Sequence, residues 1–312
     1  MRLTLQNYIT FFKGKSSRLK LQRLGIWLGF ILFFIQFFQS IQRIIQSKVV
    51  FQASLYFPIL FFGLIFNFLQ MVNWKLVLKG LNISIPLKDT LKNFPKTFLP
   101  RYIPGSIWGY LSRGEWLLTN YNVSHKMNIY SSILEIIIPL SASLFLLAGF
   151  FLKVNLLLFL FLAVIILFGF WLMFEFSRKR IFPRLGFPDE KNYFSFKRWL
   201  LGNFIFSVNW ILMGLMTLIL IIAFGSPISQ FSFWSIQNVW NATLTYCAAW
   251  LGGFLVLFVP AGMGVREVLF RLMLVQFMGI SSETALLVAV ASRFVSLLSE
   301  GIWLIVGMLI KE

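Results

Sequence analysis

The chain has 312 residues, of which 59% are hydrophobic and only 12% are charged. Soluble domains carry about 25% charged and 45–50% apolar residues, so the composition excludes a single water-soluble core, and its apolarity excludes a disordered chain. The formal net charge of +18 would point to nucleic acid in a soluble protein. Here the cations fall in loops between apolar runs, which excludes that partner and indicates an all-α polytopic membrane protein.

Residues 1–23 form a basic lead with six cations. No small-residue cleavage site follows the next apolar run, so the lead reads as a cytoplasmic tail before a signal anchor. Seven stretches approach the roughly 20 residues that cross a hydrocarbon core of ~30 Å. They are Leu24–Ser40, Leu55–Asn73, Met127–Leu152, Val154–Phe176, Trp199–Phe224, Trp234–Val259 and Ala285–Ile310. Two further apolar stretches are broken: Thr97–Leu111 by Pro100, Pro104, Gly105 and Gly109, and Pro260–Gly279 by Gly262 and Gly264. If both dip into the membrane and return to the side they left, 23 cations share the side of the N-terminus, four lie opposite, and Arg293 stays inside a helix. That asymmetry predicts two re-entrant segments and a cytoplasmic N-terminus.

The resulting order is two helices, a break and a helix, then a linking helix, then the same series again. It describes one transmembrane domain over residues 24–312, with halves 24–152 and 199–312 joined by helix 154–176. Both halves start on the same side, so a duplication would be parallel, a plan known among transporters. The local sequences run in parallel: Pro104-Gly105, Arg113, Glu115 and Val123-Ser124 in one half, and Pro260, Gly262, Gly264, Arg266, Glu267 and Ile280-Ser281 in the other.

Glu135 and Arg293 stand inside long apolar runs, 11 residues after Ser124 and 12 after Ser281. At 1.5 Å per residue both lie ~17 Å along their helices, near mid-depth. A charge there costs about 2.5–3.5 kcal/mol on insertion scales, and such residues by default face a polar cavity. Opposite charges at one depth are expected to face the same cavity, with a buried ion pair as one arrangement. Pro139 frees the carbonyl of residue 135. Helices that begin after Pro104-Gly105 and after Gly262-Met263-Gly264 would present free N–H groups at membrane depth. Arg101, Arg113, Arg266 and Arg271 are near these starts, and guanidinium groups suit phosphate. Glu115 and Glu267 are placed to orient them. The polar stripes Asn203, Ser207, Trp210, Gly214 and Asn238, Asn241, Thr245, Ala249, Gly252 read as helix packing. Trp74, Trp199 and Trp234 read as interface anchors. One cysteine, Cys247, and one histidine, His125, can build neither a disulfide nor a multi-ligand metal centre within the chain, and no cofactor or metal is expected.

The stretches FLPRYIPGSIWGYLSRGEWLLTNYNVS and FVPAGMGVREVLFRLMLVQFMGIS, with ASRFVSLLSEG in the last helix, resemble the flippase-like membrane family typified by the transmembrane part of lysylphosphatidylglycerol synthase. The most specific piece is Pro-x-Gly-x-Gly-x-Arg-Glu from Pro260 to Glu267, followed by Arg293. The resemblance implies translocation of a lipid between leaflets of a bacterial or archaeal cell membrane. It does not imply lysyl transfer, because the soluble aminoacyl-transferring domain of the full synthases follows the membrane part and this chain ends at Glu312.

The expected function is therefore a lipid flippase, with a phospholipid or a polyprenyl-phosphate-linked glycan as partner. The expected headgroup site is Arg113, Glu115, Glu135, Arg266, Glu267, Arg293 and Glu300, carried by backbone at Pro104, Gly105, Pro260, Gly262 and Gly264. Two other readings stand beside it. One is an integral-membrane glycosyl- or headgroup transferase, although Asp89 and Asp189 lie in basic loops and no DxD pair occurs. The other is a non-transporting partner of a separate lipid-modifying enzyme. No GxxxxGK[ST] phosphate loop is present, so energy for transport is expected from a gradient, from the lipid's own imbalance or from a partner, and the chain is not expected to be an enzyme.

Overall fold

The computed structural model describes residues 52–102, 108–150, 155–181, 183–185, 194–224, 235–256, 262 and 264–310, with five isolated positions between 31 and 46. The described residues are mostly helical, without strands. In chain order the helices are α1 (Tyr56–Gly80), α2 (Leu87–Asn93), α3 (Trp108–Tyr121), α4 (His125–Ala148), α5 (Leu156–Phe176), α6 (Phe196–Ala223), α7 (Ile236–Leu255), α8 (Val265–Met278) and α9 (Ser282–Leu309). Five are long and apolar enough to cross a membrane: α1, α4, α5 with its continuation to Ile181, α6 and α9. The expected span Trp234–Val259 appears as α7, a helix of 20 residues. The Gln237, Asn238 and Asn241 side chains make it more polar than those five. Of the expected first span, Leu24–Ser40, only Ile31, Ile35 and Phe38 are described; all three are helical and exposed.

Side chains supply the first N–H groups of most long helices with acceptors, which matters where water is scarce. Ser124 Oγ accepts from Met127 N at 3.3 Å and Ser281 Oγ accepts from Thr284 N at 3.1 Å. Asn155, Ser195 and Ser235 cap α5, α6 and α7 in the same way.

The core lies between α1, α4, α6, α7 and α9. α1 packs along α6, α6 along both α4 and α7, α4 on α7, and α9 on α1. Small residues permit the closest approaches: Gly63 of α1 faces Val295 and Ser299 of α9, and Gly214 of α6 faces Thr243 of α7. Polar side chains pin the same seams. Asn67 Nδ2 donates to Ser299 Oγ at 2.8 Å, Trp303 Nε1 to the Leu64 carbonyl at 3.0 Å, and Ser141 Oγ to Asn203 Oδ1 at 2.6 Å. The Asn203 and Gly214 stripe thus packs helices, as its sequence indicates. α5 is the exception to burial. It is apolar on all sides and most of its large side chains are exposed, as expected of a peripheral helix facing acyl chains.

Trp74 and Trp199 correct the interface-anchor expectation, since both are fully buried. Trp199 Nε1 donates to the Leu167 carbonyl at 3.1 Å, and Trp74 packs on Phe94 with ring centroids 5.4 Å apart. An indole that finds such neighbours inside gains more from burial than from a headgroup layer. Trp234 lies outside the described residues.

Each broken stretch leads into a 14-residue helix. In the first, 3₁₀ turns at Pro95–Thr97 and Leu99–Tyr102 precede α3, and Pro104 and Gly105 lie outside the described residues. In the second, Pro260 lies outside them, while Gly262 and Gly264 have φ of 70° and 77°. A side chain at Gly262 would place its Cβ 2.7 Å from the Gly253 backbone on α7, so this position needs glycine for both conformation and space.

Candidate functional site

A cavity of ≈ 190 Å³ opens among the helices near the middle of the long ones. α1 contributes Asn67, Gln70, Asn73 and Trp74, α4 contributes Glu135 and Pro139, and α9 contributes Arg293, Ser296 and Glu300. α6 and α7 supply an aromatic wall of Phe206, Trp210, Tyr246, Trp250 and Phe254. The two broken stretches close it, with Arg101, Tyr102, Gly109, Tyr110 and Arg113 from the first and Gly262 and Arg266 from the second.

Arg113 is 5% exposed although it carries a full charge. Its Nη2 donates directly to Glu135 Oε2 and its Nη1 to Thr97 Oγ1 at 2.8 Å. Thr97 in turn donates to the Phe94 carbonyl at 2.6 Å. The guanidinium also lies 4.6 Å from the Phe94 ring centroid and 5.0 Å from that of Tyr110. Paired charge, hydrogen bonds and ring faces together offset the desolvation of a buried cation.

On the opposite wall Arg293 Nε lies 4.0 Å from Glu267 Oε1, and its guanidinium lies 5.5 Å from the Tyr102 ring centroid. The other oxygen of Glu267 accepts from Gly264 N at 2.6 Å. One carboxylate therefore caps α8 and faces an arginine of α9, which fixes the two helices to each other. Glu300 accepts from the Tyr102 hydroxyl at 2.9 Å and stands 4.0 Å from Arg101 Nη1. Arg266 lies over Tyr246 at 4.9 Å.

The structure thus brings Arg113, Glu135, Arg266, Arg293 and Glu300 to one cavity, with Glu267 behind Arg293. The mid-depth charges Glu135 and Arg293 both line it, but each takes its partner from the helix after a break, Arg113 and Glu267 respectively. Glu115 is half-buried on α3 and is not part of the lining; Glu135 and Thr97, rather than Glu115, hold Arg113. Arg271 lies elsewhere, donating through Nε to Ser282 Oγ at 2.8 Å on an exposed surface. Outside the bundle core, Tyr121 at the end of α3 donates to Asp89 on α2, and burial followed by this carboxylate pushes its phenol up to about 12.

Several lining groups were passed over in the sequence or, as Trp74 and Trp210, read there as an interface anchor and a packing residue. Asn67, Gln70 and Trp74 recur at i, i+3 and i+7 on α1, a periodicity that marks one helical face. Trp210 and the Tyr246–Trp250–Phe254 series, at i, i+4 and i+8, hide among many other aromatics. Among the uncharged groups of the lining residues, four fully buried atoms have no hydrogen-bond partner among the described residues: Asn73 Oδ1, Trp74 Nε1, Trp210 Nε1 and the Tyr246 hydroxyl.

An all-helical bundle with membrane-length helices and an arginine-lined cavity between them defines an integral membrane protein with an internal polar site. The sequence pattern of the lysylphosphatidylglycerol synthase TM region matches residues 21–302, and the chain belongs to that family. No curated protein matches the chain significantly.

Proposed function

We propose that the protein is a lipid translocase, moving a phosphate-bearing headgroup between leaflets through the arginine-lined cavity while the tails remain in the bilayer. The observation that carries this reading is the gathering of Arg113, Arg266 and Arg293 around one cavity near the middle of membrane-length helices. Charges at that depth are costly unless a polar substrate or solvent meets them. Membership of a family named for the membrane part of a lipid-modifying enzyme agrees with a lipid substrate.

The two halves support a rocking mechanism. α3 and α8 have 14 residues each, and from Trp108 to Ser124 and from Val265 to Ser281 the distance in sequence is the same. A left-handed residue, Asn122 or Gly279, precedes each serine cap. The packing is reciprocal as well, with α4 of the first half on α7 of the second, and α9 of the second on α1 of the first. We read these as parallel repeats of one domain. In that reading α7 and the stretch Leu24–Ser40 complete seven spans, the breaks re-enter from the cytoplasmic side, and the N-terminus is cytoplasmic in a bacterial or archaeal cell membrane.

Fluorescent-lipid exchange between leaflets in vesicles carrying the purified chain tests the proposal. Exchange above that of empty vesicles is expected. Lipid binding without exchange would instead assign a partner role beside a lipid-modifying enzyme, and a covalently altered lipid would assign a transferase.

A further inference from the structure

The peripheral helix α5 lies along α4, from the Phe174–Tyr130 contact at one end to the Phe159–Phe145 contact at the other. It meets α6 near the first of these ends. Phe168 and Trp171 of α5 approach Phe196 of α6 with ring centroids 6.1 and 5.5 Å apart, and Trp171 approaches Trp199 at 6.1 Å. From the Phe168–Phe196 contact each helix carries an apolar stripe away from the shared end: Phe161, Val164 and Phe168 on α5, and Phe196, Leu200 and Phe204 on α6. Spacings of three and four residues hold each stripe on one helical face. All six side chains are exposed. Two stripes that share one contact and then stay uncovered wall a wedge between the helices, open to the bilayer.

The closed end of the wedge is basic. α5 runs on as a π-helical turn, Ser177–Ile181, with Arg178, Lys179 and Arg180 in succession; such turns are rare and recur at functional sites. Glu175 accepts from Arg178 Nη2 at 2.6 Å and from its Nε at 3.2 Å, so this carboxylate is already engaged. Arg198 Nη1 donates to the Gly80 carbonyl at 3.2 Å. Lys179, Arg180, Arg184 and Lys197 are exposed. Residues 175–198 hold seven cations against three acids, so positive charge remains after every acid is matched. Basic clusters directly beyond a membrane helix, and basic pockets between such helices, attract anionic headgroups. Among the described residues α5 adds nothing to the lining of the arginine cavity, and α6 turns Phe206 and Trp210 toward it, so the wedge is a different place on the molecule.

We propose that this wedge is a second lipid site: one anionic phospholipid of the surrounding leaflet lies with its chains between α5 and α6 and its phosphate among Lys179, Arg180 and Lys197. The chains cover the two aromatic and aliphatic stripes, and the phosphate neutralises the cations at the closed end. The bound lipid braces α5 against α6 where the protein's own side chains leave them apart. It is a resident component of the fold and does not enter the cavity.

The test is photolabelling of the full chain in detergent, with the labelled residues located by mass spectrometry. The probes are phosphatidylglycerol with a diazirine in one acyl chain and phosphatidylcholine with the same chains. Phosphatidylglycerol is expected to label the stripes of α5 and α6 about tenfold over phosphatidylcholine, the scale of one or two cations close to a headgroup. Replacing Lys179, Arg180 and Lys197 together by Gln is expected to erase that preference. The same replacement at Lys79, Lys88 and Lys96, exposed cations away from the wedge, is expected to keep it. Leu200→Trp, which fills the wedge and leaves the charges alone, is expected to lower the labelling severalfold. Arg266→Gln, which alters the cavity, is expected to leave it unchanged. Equal labelling by the two probes overturns the proposal, as does an unchanged preference in the first triple variant or unchanged labelling in Leu200→Trp. An equal loss in the second triple variant would reduce the effect to general surface charge, and label confined to cavity-lining residues would place the lipid there; either result also overturns it. No transport is read, so the outcome is independent of the translocase reading.

Discussion

Arg113 of α3 and Glu135 of α4 form a direct ion pair whose side chains are only 6% and 8% exposed. The pair joins the helix after the first break to a membrane-length helix. Removing one partner strands a charge in the bundle, which costs about 3–5 kcal/mol, whereas replacing both by apolar groups of similar size is often neutral. Glu135→Gln is therefore expected to lower the thermal midpoint sharply in detergent. Arg113→Met together with Glu135→Gln is expected to recover most of the loss, while leaflet exchange stays absent in both. A double variant as unstable as the single one would show that the pair is not what the single change breaks.

Gly262 and Gly264 separate conformational strain from crowding. Both have positive φ, and a non-glycine residue held in such a sparsely populated conformation costs roughly 1–3 kcal/mol. A Cβ at Gly262 also meets the Gly253 backbone, at 2.7 Å, whereas one at Gly264 meets nothing within 4 Å. Gly262→Ala is expected to destabilise clearly more than Gly264→Ala. It should also weaken retention of anionic lipid, because the clash pushes the start of α8, and with it Arg266, away from α7. Thermal melts of the two variants side by side decide the order, and equal losses would mean that the close contact with Gly253 carries no weight.

Much of this fold was legible because hydrophobic length and serine caps mark helices strongly. Ser124 and Ser281 cap α4 and α9, three and four residues before the points where apolarity alone starts those spans. The mid-depth charges Glu135 and Arg293 pointed to the cavity for the same reason, since lipid tolerates few charges. Their partners were not legible, because the helices after the breaks pack by tertiary contact that spacing does not encode. The 67–70–74 face of α1 was hidden by its own apolarity, three polar groups in a helix otherwise rich in Phe and Leu. Trp74 and Trp199 misled because a tryptophan near a helix end reads the same whether it faces headgroups or a buried seam.

Tyr102 links the first broken stretch to the last helix through its 2.9 Å hydrogen bond to Glu300. Hydrogen bonds to charged groups contribute about 1.5–3 kcal/mol, and here the donor also fixes a carboxylate that faces Arg101. Tyr102→Phe is expected to slow leaflet exchange by about tenfold while the chain still folds. Glu300→Gln keeps an acceptor for the phenol but removes the charge beside Arg101, and should raise retention of anionic lipid. Exchange rates and lipid retention measured on both variants test this, and a Tyr102→Phe protein indistinguishable from the parent would rule the link out.

The seam between α6 and α7 depends on Gly214, where an added Cβ would meet the Thr243 backbone nitrogen at 2.8 Å and its Cα at 2.9 Å. Backbone cannot yield as a flexible side chain can, so Gly214→Ala forces two core helices apart and disturbs the Trp210–Tyr246 wall, whose ring centroids are 6.1 Å apart. Overpacking of this kind costs about 1–3 kcal/mol. Gly169 on the peripheral α5 is the matched control, with nothing within 4 Å of the added atom. There Gly→Ala should be neutral or stabilising by up to about 1 kcal/mol through helix propensity. Opposite signs of the two shifts in thermal midpoint are expected. A Gly214→Ala protein as stable as Gly169→Ala would mean that α6 and α7 approach less closely than their contact implies.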